Sequence, residues 1–87
     1  MSRATDAAVE DVFFALGDRT RLGLVRRLGA GPPASATALS HGAGISRQAV
    51  VKHLRLLEDV GVVVAARRGR EVCYTLEPAA QIGRAHV

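Results

Sequence analysis

Cysteine and aromatic residues are scarce in this chain of 87 residues, and each shortage excludes a kind of protein. Cys73 is the single cysteine, so the chain cannot form an internal disulfide, which excludes a disulfide-stabilised secreted scaffold. The aromatic residues are only Phe13, Phe14 and Tyr74, so the core must be aliphatic. A core of this size is small for one domain, and a partner subunit would help to bury apolar surface.

The sequence also lacks a long apolar run and the patterns of an enzyme. The longest aliphatic run, Val62–Ala66, is far too short to span a bilayer, and no N-terminal stretch resembles a signal peptide. We therefore expect a cytoplasmic protein without a membrane partner. Paired carboxylates, a Ser-His-Asp order, a phosphate loop and a metal-ligand cluster are all missing, which argues against catalysis, a cofactor or a metal site.

Negative charge is rare outside the N-terminal segment. Residues 1–18 hold one cation and four acids, and residues 19–87 hold 11 cations and four acids, so a net charge of −3 is followed by one of +7. The total is +4. This balance favours an anionic partner such as nucleic acid or a membrane surface.

Apolar spacing, N-caps and chain breakers predict one domain over residues 7–78. The predicted elements are a flexible leader over 1–6, helices over Ala7–Leu16, Arg19–Leu28 and Ala38–His41, a longer helix after Ser46, a two-stranded hairpin over 62–76, and the start of a C-terminal helix over 79–87. Asp18, Thr37 and Ser46 are the N-cap candidates, and Gly61 is expected to end the longer helix in a left-handed conformation.

The segment after Gly61 changes from helical spacing to the alternation of strands. Val62–Ala66 is extended in character, Arg67–Arg70 is a polar turn with Gly69 free to adopt positive φ, and the following residues alternate again. A short helix, a glycine-containing turn, a longer capped helix and a basic hairpin make a winged helix-turn-helix. The predicted fold is therefore mainly α with a two-stranded β-hairpin wing.

The longer helix has the two faces that a DNA-reading helix needs. Val50, Leu54 and Leu57 form an apolar stripe, and the opposite face is polar near the helix N-terminus, where base edges are approached. The base-reading candidates are Ser46, Arg47, Gln48 and Val51, the candidates for backbone contact are Thr37, Lys52 and Arg55, and the wing candidates are Arg67, Arg68 and Arg70.

The chemistry of these side chains supports that division. Arg47 suits guanine acceptors, Gln48 suits adenine, and Val51 can touch a thymine methyl group. Lysine and the other arginines suit phosphates, which position a protein without reading sequence. A solvated face is the ordinary explanation for basic residues on one helix, but six cations against two acids over residues 47–70 favour sequence-specific binding of double-stranded DNA.

Three stretches of the chain resemble ArsR-type (arsenic-repressor-like) bacterial transcriptional repressors. They are Val12–Leu22, Ile45–Leu54 followed by Leu57–Gly61, and the wing Arg67–Leu76, within about residues 9–78. The resemblance implies a homodimeric winged-helix repressor that binds operator half-sites about 34 Å apart.

The resemblance also implies that the first and last helices form the dimer interface. The expected interface residues are Val9, Val12, Phe13 and Phe14, and at least one of the two phenylalanines is expected in the core. Only nine residues follow Pro78. Either the chain is a fragment of a longer protein, or the dimer relies mainly on the first helix.

The chain departs from the family's metal-sensing members, which use a Cys-x-Cys pair on the short helix or His and acidic ligands on the last one. Cys73 stands alone on a predicted strand, where a half-buried apolar role is favoured over a redox-sensing thiol. His53 is expected to be a packed, hydrogen-bonded core residue rather than a metal ligand. The alternatives left open are a metal- or thiol-responsive version of this repressor, and a winged-helix module that binds an acidic protein.

Overall fold

Four helices and a three-stranded antiparallel sheet form the computed structural model, which describes the backbone of residues 3–78 and the side chains of residues 9–78. In chain order the elements are α1 (Arg3–Leu16), α2 (Arg19–Ala30), β1 (Ala34–Ser35), α3 (Ala36–Ala43), α4 (Arg47–Asp59), β2 (Val63–Arg68) and β3 (Glu71–Leu76). This order confirms the predicted winged helix-turn-helix. The predicted C-terminal helix over 79–87 lies outside the described residues.

Helix α1 begins at Arg3 rather than at Ala7, so residues 3–6 are helical where the sequence predicted a leader. Residues 3–8 contain three alanines and neither Gly nor Pro, so their helix propensity extends the amphipathic segment backwards. Asp18 caps α2 as predicted, because its Oδ1 accepts a hydrogen bond of 3.0 Å from the backbone N–H of Arg21.

Helix α2 ends at Ala30, two residues later than predicted, and so includes Gly29. A Cβ on Gly29 would lie 3.2 Å from Leu76 Cδ1. The glycine therefore allows the end of α2 to lie closely against β3. Glycine often ends a helix, but Gly29 stays within α2, where its lack of a side chain permits the close approach to Leu76. The local sequence does not reveal this tertiary contact.

The prediction that Thr37 caps α3 was wrong, because Ser35 does so. Ser35 Oγ accepts a hydrogen bond of 3.1 Å from the backbone N–H of Ala38, and α3 spans Ala36–Ala43 instead of residues 38–41. Ser35 is held extended because it belongs to β1, which pairs with Cys73 and Tyr74 of β3. The helix can therefore begin at the next residue.

The sheet contains one strand more than the predicted hairpin, and its order is β1-β3-β2. The register of the wing runs from Val63 opposite Leu76 to Arg68 opposite Glu71. This leaves Gly69 and Arg70 as a two-residue turn, with Gly69 at a φ of 67° as predicted. Positive φ at the first central residue alone is the pattern of a type II′ turn, whose twist suits a hairpin. Arg67 and Arg68, predicted in the turn, end β2 instead.

The core is aliphatic, as the composition predicted. The largest fully buried side chains come from α3, α4 and β2, and they are Leu39, Val50, Leu54, Leu57 and Val63. The predicted stripe of α4 is thus fully buried and fixes that helix to the domain. Helix α4 ends as predicted, with Gly61 at a φ of 80°. Over residues 3–78 no helix combines the length and apolar character needed to cross a membrane.

The expectation that Phe13 or Phe14 lies in the core was wrong, since each side chain is 70% exposed in the single chain. Ala15 is fully buried instead, and Val12 and Leu16 pack against the core beside it. A small residue at position 15 lets α1 approach its neighbours closely. The helical rotation of about 100° per residue then turns positions 13 and 14 away.

Candidate nucleic-acid interface

The N-terminus of α4 is fixed by Ser46. Its Oγ accepts a hydrogen bond of 3.0 Å from the backbone N–H of Ala49, and its own backbone is extended. The cap uses one lone pair of this predicted base-reading hydroxyl, so its O–H can still donate a hydrogen bond to a partner. The cap also fixes the conformation of the first turn of α4, in which Arg47 and Gln48 are exposed.

The exposed face of α4 is a shallow groove that gathers most of the predicted contact residues. Its lining consists of Arg47, Gln48, Val51, Lys52 and Arg55. Val51 is half-buried and packs against the core, whereas the other four are exposed. Three cations and no carboxylate line this groove, so its electrostatic character is strongly positive.

A second cleft joins the start of α3, the start of α4 and the wing. Thr37, Arg47, Arg70 and Tyr74 all line it, although they come from separate parts of the sequence. Arg47 therefore lies on the exposed face of α4 and also beside the wing. Glu71 is in the lining too, so this cleft has a local negative charge that the groove on α4 lacks.

The wing carries its arginines at its tip. Arg67 and Arg68 end β2, Arg70 follows in the turn, and all three side chains are exposed. None of them forms an ion pair with a carboxylate in the described part of the chain. Their charge is thus available to an anionic partner.

Arg21 contacts α4 on the side opposite its exposed face, and the sequence did not predict this contact. Its side chain is 13% exposed, and its Nε donates to the backbone carbonyl of Ala15 at 2.7 Å. Its Nη1 lies 3.3 Å from His53 Nδ1 of α4, and its guanidinium lies 5.8 Å from the centroid of the Phe14 ring. One side chain therefore links the end of α1 to the middle of α4.

The contact with Arg21 gives His53 a hydrogen-bond partner on another helix. A guanidinium has only donors, so Nδ1 is the acceptor in this hydrogen bond. The predicted hydrogen bond of His53 is present, but the side chain is half-buried and does not lie in the core, where the sequence predicted it. Sequence spacing gives no signal for this pair, because the two residues are 32 positions apart.

Arg21 also acts on the N-cap of its own helix. The hydrogen bond from the Arg21 backbone N–H lowers the pKa of the Asp18 carboxyl below its ordinary value of 3.8, and the guanidinium charge lowers it further. Asp18 Oδ2 lies 3.9 Å from Arg21 Nη1. The carboxylate therefore stays ionised at the start of α2, where the helix dipole also favours negative charge.

The thiol and the histidines do not converge in the described residues. Cys73 is a buried free cysteine in the middle of β3, and His41 is exposed on α3. Among the residues that the structure describes, no group of three His, Cys, Asp or Glu side chains is placed to hold a metal ion.

Helix α1 exposes an apolar surface away from the candidate interface. Val9 is 48% exposed, and Phe13 and Phe14 are more exposed still. Val12 differs from them, because it packs against the core of its own domain. Three of the four predicted dimer residues are thus accessible on one helix.

A family model described as a helix-turn-helix domain matches residues 16–64. A probable mercury resistance operon repressor from Streptomyces lividans is 42% identical over 64 residues, which cover 74% of this chain and 50% of that protein. The HTH-type transcriptional regulator NmtR from Mycobacterium tuberculosis is 36% identical over 70 residues, which cover 80% of this chain and 58% of that protein. The chain thus spans about half the length of these curated relatives.

Solved structures agree with this relationship. An ArsR-like transcriptional regulator from Rhodococcus sp. RHA1 is 38% identical with a TM-score of 0.80, and the match covers 87% of this chain and 71% of that one. HlyU from Vibrio cholerae is 25% identical with a TM-score of 0.78, over 87% and 82% of the two chains. A homodimeric winged helix-turn-helix DNA-binding domain from Mycobacterium bovis, 24% identical with a TM-score of 0.81 over 92% and 76% of the chains, shares the fold.

Proposed function

Because the chain belongs to the ArsR family of winged helix-turn-helix transcriptional regulators, we propose that it is a homodimeric repressor that binds double-stranded operator DNA sequence-specifically. The observation that carries this proposal is the basic surface formed by the start of α4 and the wing tip, with Arg47 between them. This family consists of regulators rather than enzymes.

In this proposal the start of α4 enters the major groove. Arg47 and Gln48 are exposed in the first turn of the helix, where they read base edges through hydrogen bonds. Ser46 donates from its hydroxyl beside them. Val51 contributes an apolar contact to a thymine methyl group, and its half-buried position limits it to bases that approach the helix closely.

The remaining cations bind the backbone. Lys52 and Arg55 flank the reading residues on α4, and Thr37 is exposed at the start of α3, so that these three contact phosphates on either side of the groove. The wing tip, with Arg67, Arg68 and Arg70, contacts the adjacent backbone or minor groove. Arg70 shares a cleft with Thr37 and Arg47, which brings wing and helix onto one stretch of DNA.

Dimerisation through α1 completes the proposal. Val9, Phe13 and Phe14 would bury their exposed apolar surface against the same residues of a second protomer, with Val12 behind them. A two-fold dimer would place two α4 helices about 34 Å apart, one turn of DNA. The M. bovis neighbour, which is described as homodimeric, supports this arrangement by analogy of fold.

Salt dependence tests the DNA interface. If each protomer neutralises about four phosphates, the slope of log affinity against log salt is about −3.6 for one protomer and twice that for a dimer. Lys52→Ala and Arg68→Ala should each reduce the slope by about 0.9 per protomer. Arg26→Ala is the matched control, because Arg26 is exposed on α2 and lines neither groove.

Selection of binding sites from random duplex DNA tests specificity. An enriched palindromic site supports the proposal. Equal enrichment of that site with and without zinc argues against a zinc-responsive version of the repressor. A flat salt dependence with no enriched site would contradict the proposal. That result would favour the alternative in which the basic face binds an acidic protein.

A further inference from the structure

A cleft of about 270 Å³ lies between α2 and α3, on residues that the proposed DNA interface does not use. Arg19, Gly23 and Arg27 form the α2 wall, and Gly42 and Ala43 form the α3 wall. These α2 residues recur every four positions, so they share one face of the helix. The cleft is thus a groove between two helices with a cation toward each end.

The floor of the cleft is apolar. Leu24 and Leu39 lie there, and both belong to the buried core of the domain, with exposed fractions of 3% and 1%. A hydrophobic base with few polar groups above it is typical of small-molecule sites. The volume is slightly below the usual range for such sites, about 300–1,000 Å³, which restricts the occupant to a very small molecule.

Gly23 keeps the cleft open. Glycine is unfavourable in a helix interior, and no feature of the backbone requires it here, because a Cβ at this position would meet no atom within 4 Å. Close helix packing therefore does not explain the residue. Because Gly23 has no side chain, the middle of the α2 wall is free space.

Gly42 has a different relation to the same cleft. A Cβ on Gly42 would lie 3.3 Å from Nη1 of Arg27, so the glycine leaves room for the guanidinium to lie against α3. Neither Arg27 nor Arg19 forms an ion pair with a carboxylate among residues 9–78, and no acidic residue lines the cleft. Among the side chains that the structure describes, none neutralises the positive charge of this cleft.

We propose that this cleft binds a small organic anion, a carboxylate that carries a short apolar or aromatic group. The guanidinium of Arg27, which lies against Gly42 in the cleft, would donate paired hydrogen bonds to the carboxylate, and the apolar group would lie over Gly23 on the leucine floor. A neutral molecule of the same shape leaves the arginines unpaired.

Isothermal titration calorimetry with benzoate and its neutral analogue benzamide tests the proposal. Benzoate should bind saturably and at least about ten-fold more tightly than benzamide, a difference of about 1.4 kcal/mol. Arg27→Gln should lower benzoate affinity by a similar factor, because it removes the bidentate cation. Gly23→Leu should abolish binding by filling the cleft, while leucine's better helix propensity preserves the fold.

Arg26→Gln is the control, because Arg26 is exposed on the same helix and does not line the cleft. Equal affinities for benzoate and benzamide would overturn the proposal, as would the absence of saturable binding up to about 10 mM. A loss of DNA affinity in Arg27→Gln without benzoate binding by the parent protein would also overturn it, and would assign the cleft to the DNA backbone. The titration contains no DNA, so its outcome is independent of the proposed function.

Discussion

Replacing Arg21 with methionine tests how the end of α1 is held against the reading helix. Methionine retains an apolar, unbranched stem of comparable length, so packing of the aliphatic part is largely preserved. The substitution removes the hydrogen bond of 2.7 Å from Nε to the Ala15 carbonyl, the contact with His53, the charge over Phe14, and the loose ion pair with Asp18 at 3.9 Å.

The expected loss of stability is the sum of two contributions, one from the hydrogen bond to Ala15 and one from the cation–π contact with Phe14. A hydrogen bond from a charged donor contributes about 1.5–3 kcal/mol, and the low exposure of Arg21 places this one within that range. The Phe14 ring is mostly exposed, so its cation–π contact adds about 0.5–1 kcal/mol. We expect Arg21→Met to lower the free energy of unfolding by about 2–4 kcal/mol, with a fall in Tm of about 4–8 °C for each kcal/mol.

Urea denaturation followed by circular dichroism measures this loss. Parent and variant are compared at one protomer concentration, because dimerisation makes apparent stability depend on concentration. Arg26→Met is the matched control: the Arg26 side chain is exposed and forms no hydrogen bond or ion pair with the described residues, so its replacement should change stability by at most about 0.5 kcal/mol. A loss of under about 1 kcal/mol in Arg21→Met would refute the reasoning.

Four further predictions concern single positions. Arg47→Ala should cost about 1–3 kcal/mol of binding and relax the preference at one base position, measured against single-base variants of the selected site; an equal loss at every site would make it a backbone contact. Phe13→Asp should convert the dimer into monomers in sedimentation velocity, because it places a charge in the proposed apolar interface; a dimer that survives would place the interface elsewhere. The lowered pKa of Asp18 means that the unfolded state binds more protons as the pH falls through 3.8, so the stability this carboxylate contributes at neutral pH is lost in acid. Asp18→Asn should therefore flatten the stability curve below about pH 4, and an unchanged curve would contradict the cap. Gly23→Ala should raise the free energy of unfolding by about 0.8–1 kcal/mol in the same urea assay, since a methyl group meets no neighbour there; a decrease would show a hidden close approach.

Local chemistry predicted α4 almost completely. Ser46 offered a capping oxygen, an apolar stripe set the buried face, and Gly61 supplied a left-handed stop, so each signal lies within one helix length of what it determines. The exposed reading face follows from the same periodicity. Position along this helix was therefore enough to predict which of its long polar side chains are exposed.

The missed features depend on contacts between distant parts of the chain. Strand β1 has only two residues and exists because β3 pairs with it, and this pairing is what makes Ser35 rather than Thr37 the cap of α3. Arg21 looked like one cation among several, but its partners lie on α1 and α4. No periodicity within α2 distinguishes it from exposed Arg26.

Strand β2 lies at the edge of the sheet, and in the described part of the chain its outer side pairs with no other strand. Such an edge offers free backbone donors and acceptors to any other extended chain, and natural proteins protect it with charge. Arg67 and Arg68 place like charges where two copies of this edge would meet. The wing arginines therefore also oppose edge-to-edge pairing between the β2 strands of two molecules. Replacing both of them, as in Arg67→Val with Arg68→Val, should promote aggregation even when no DNA is present.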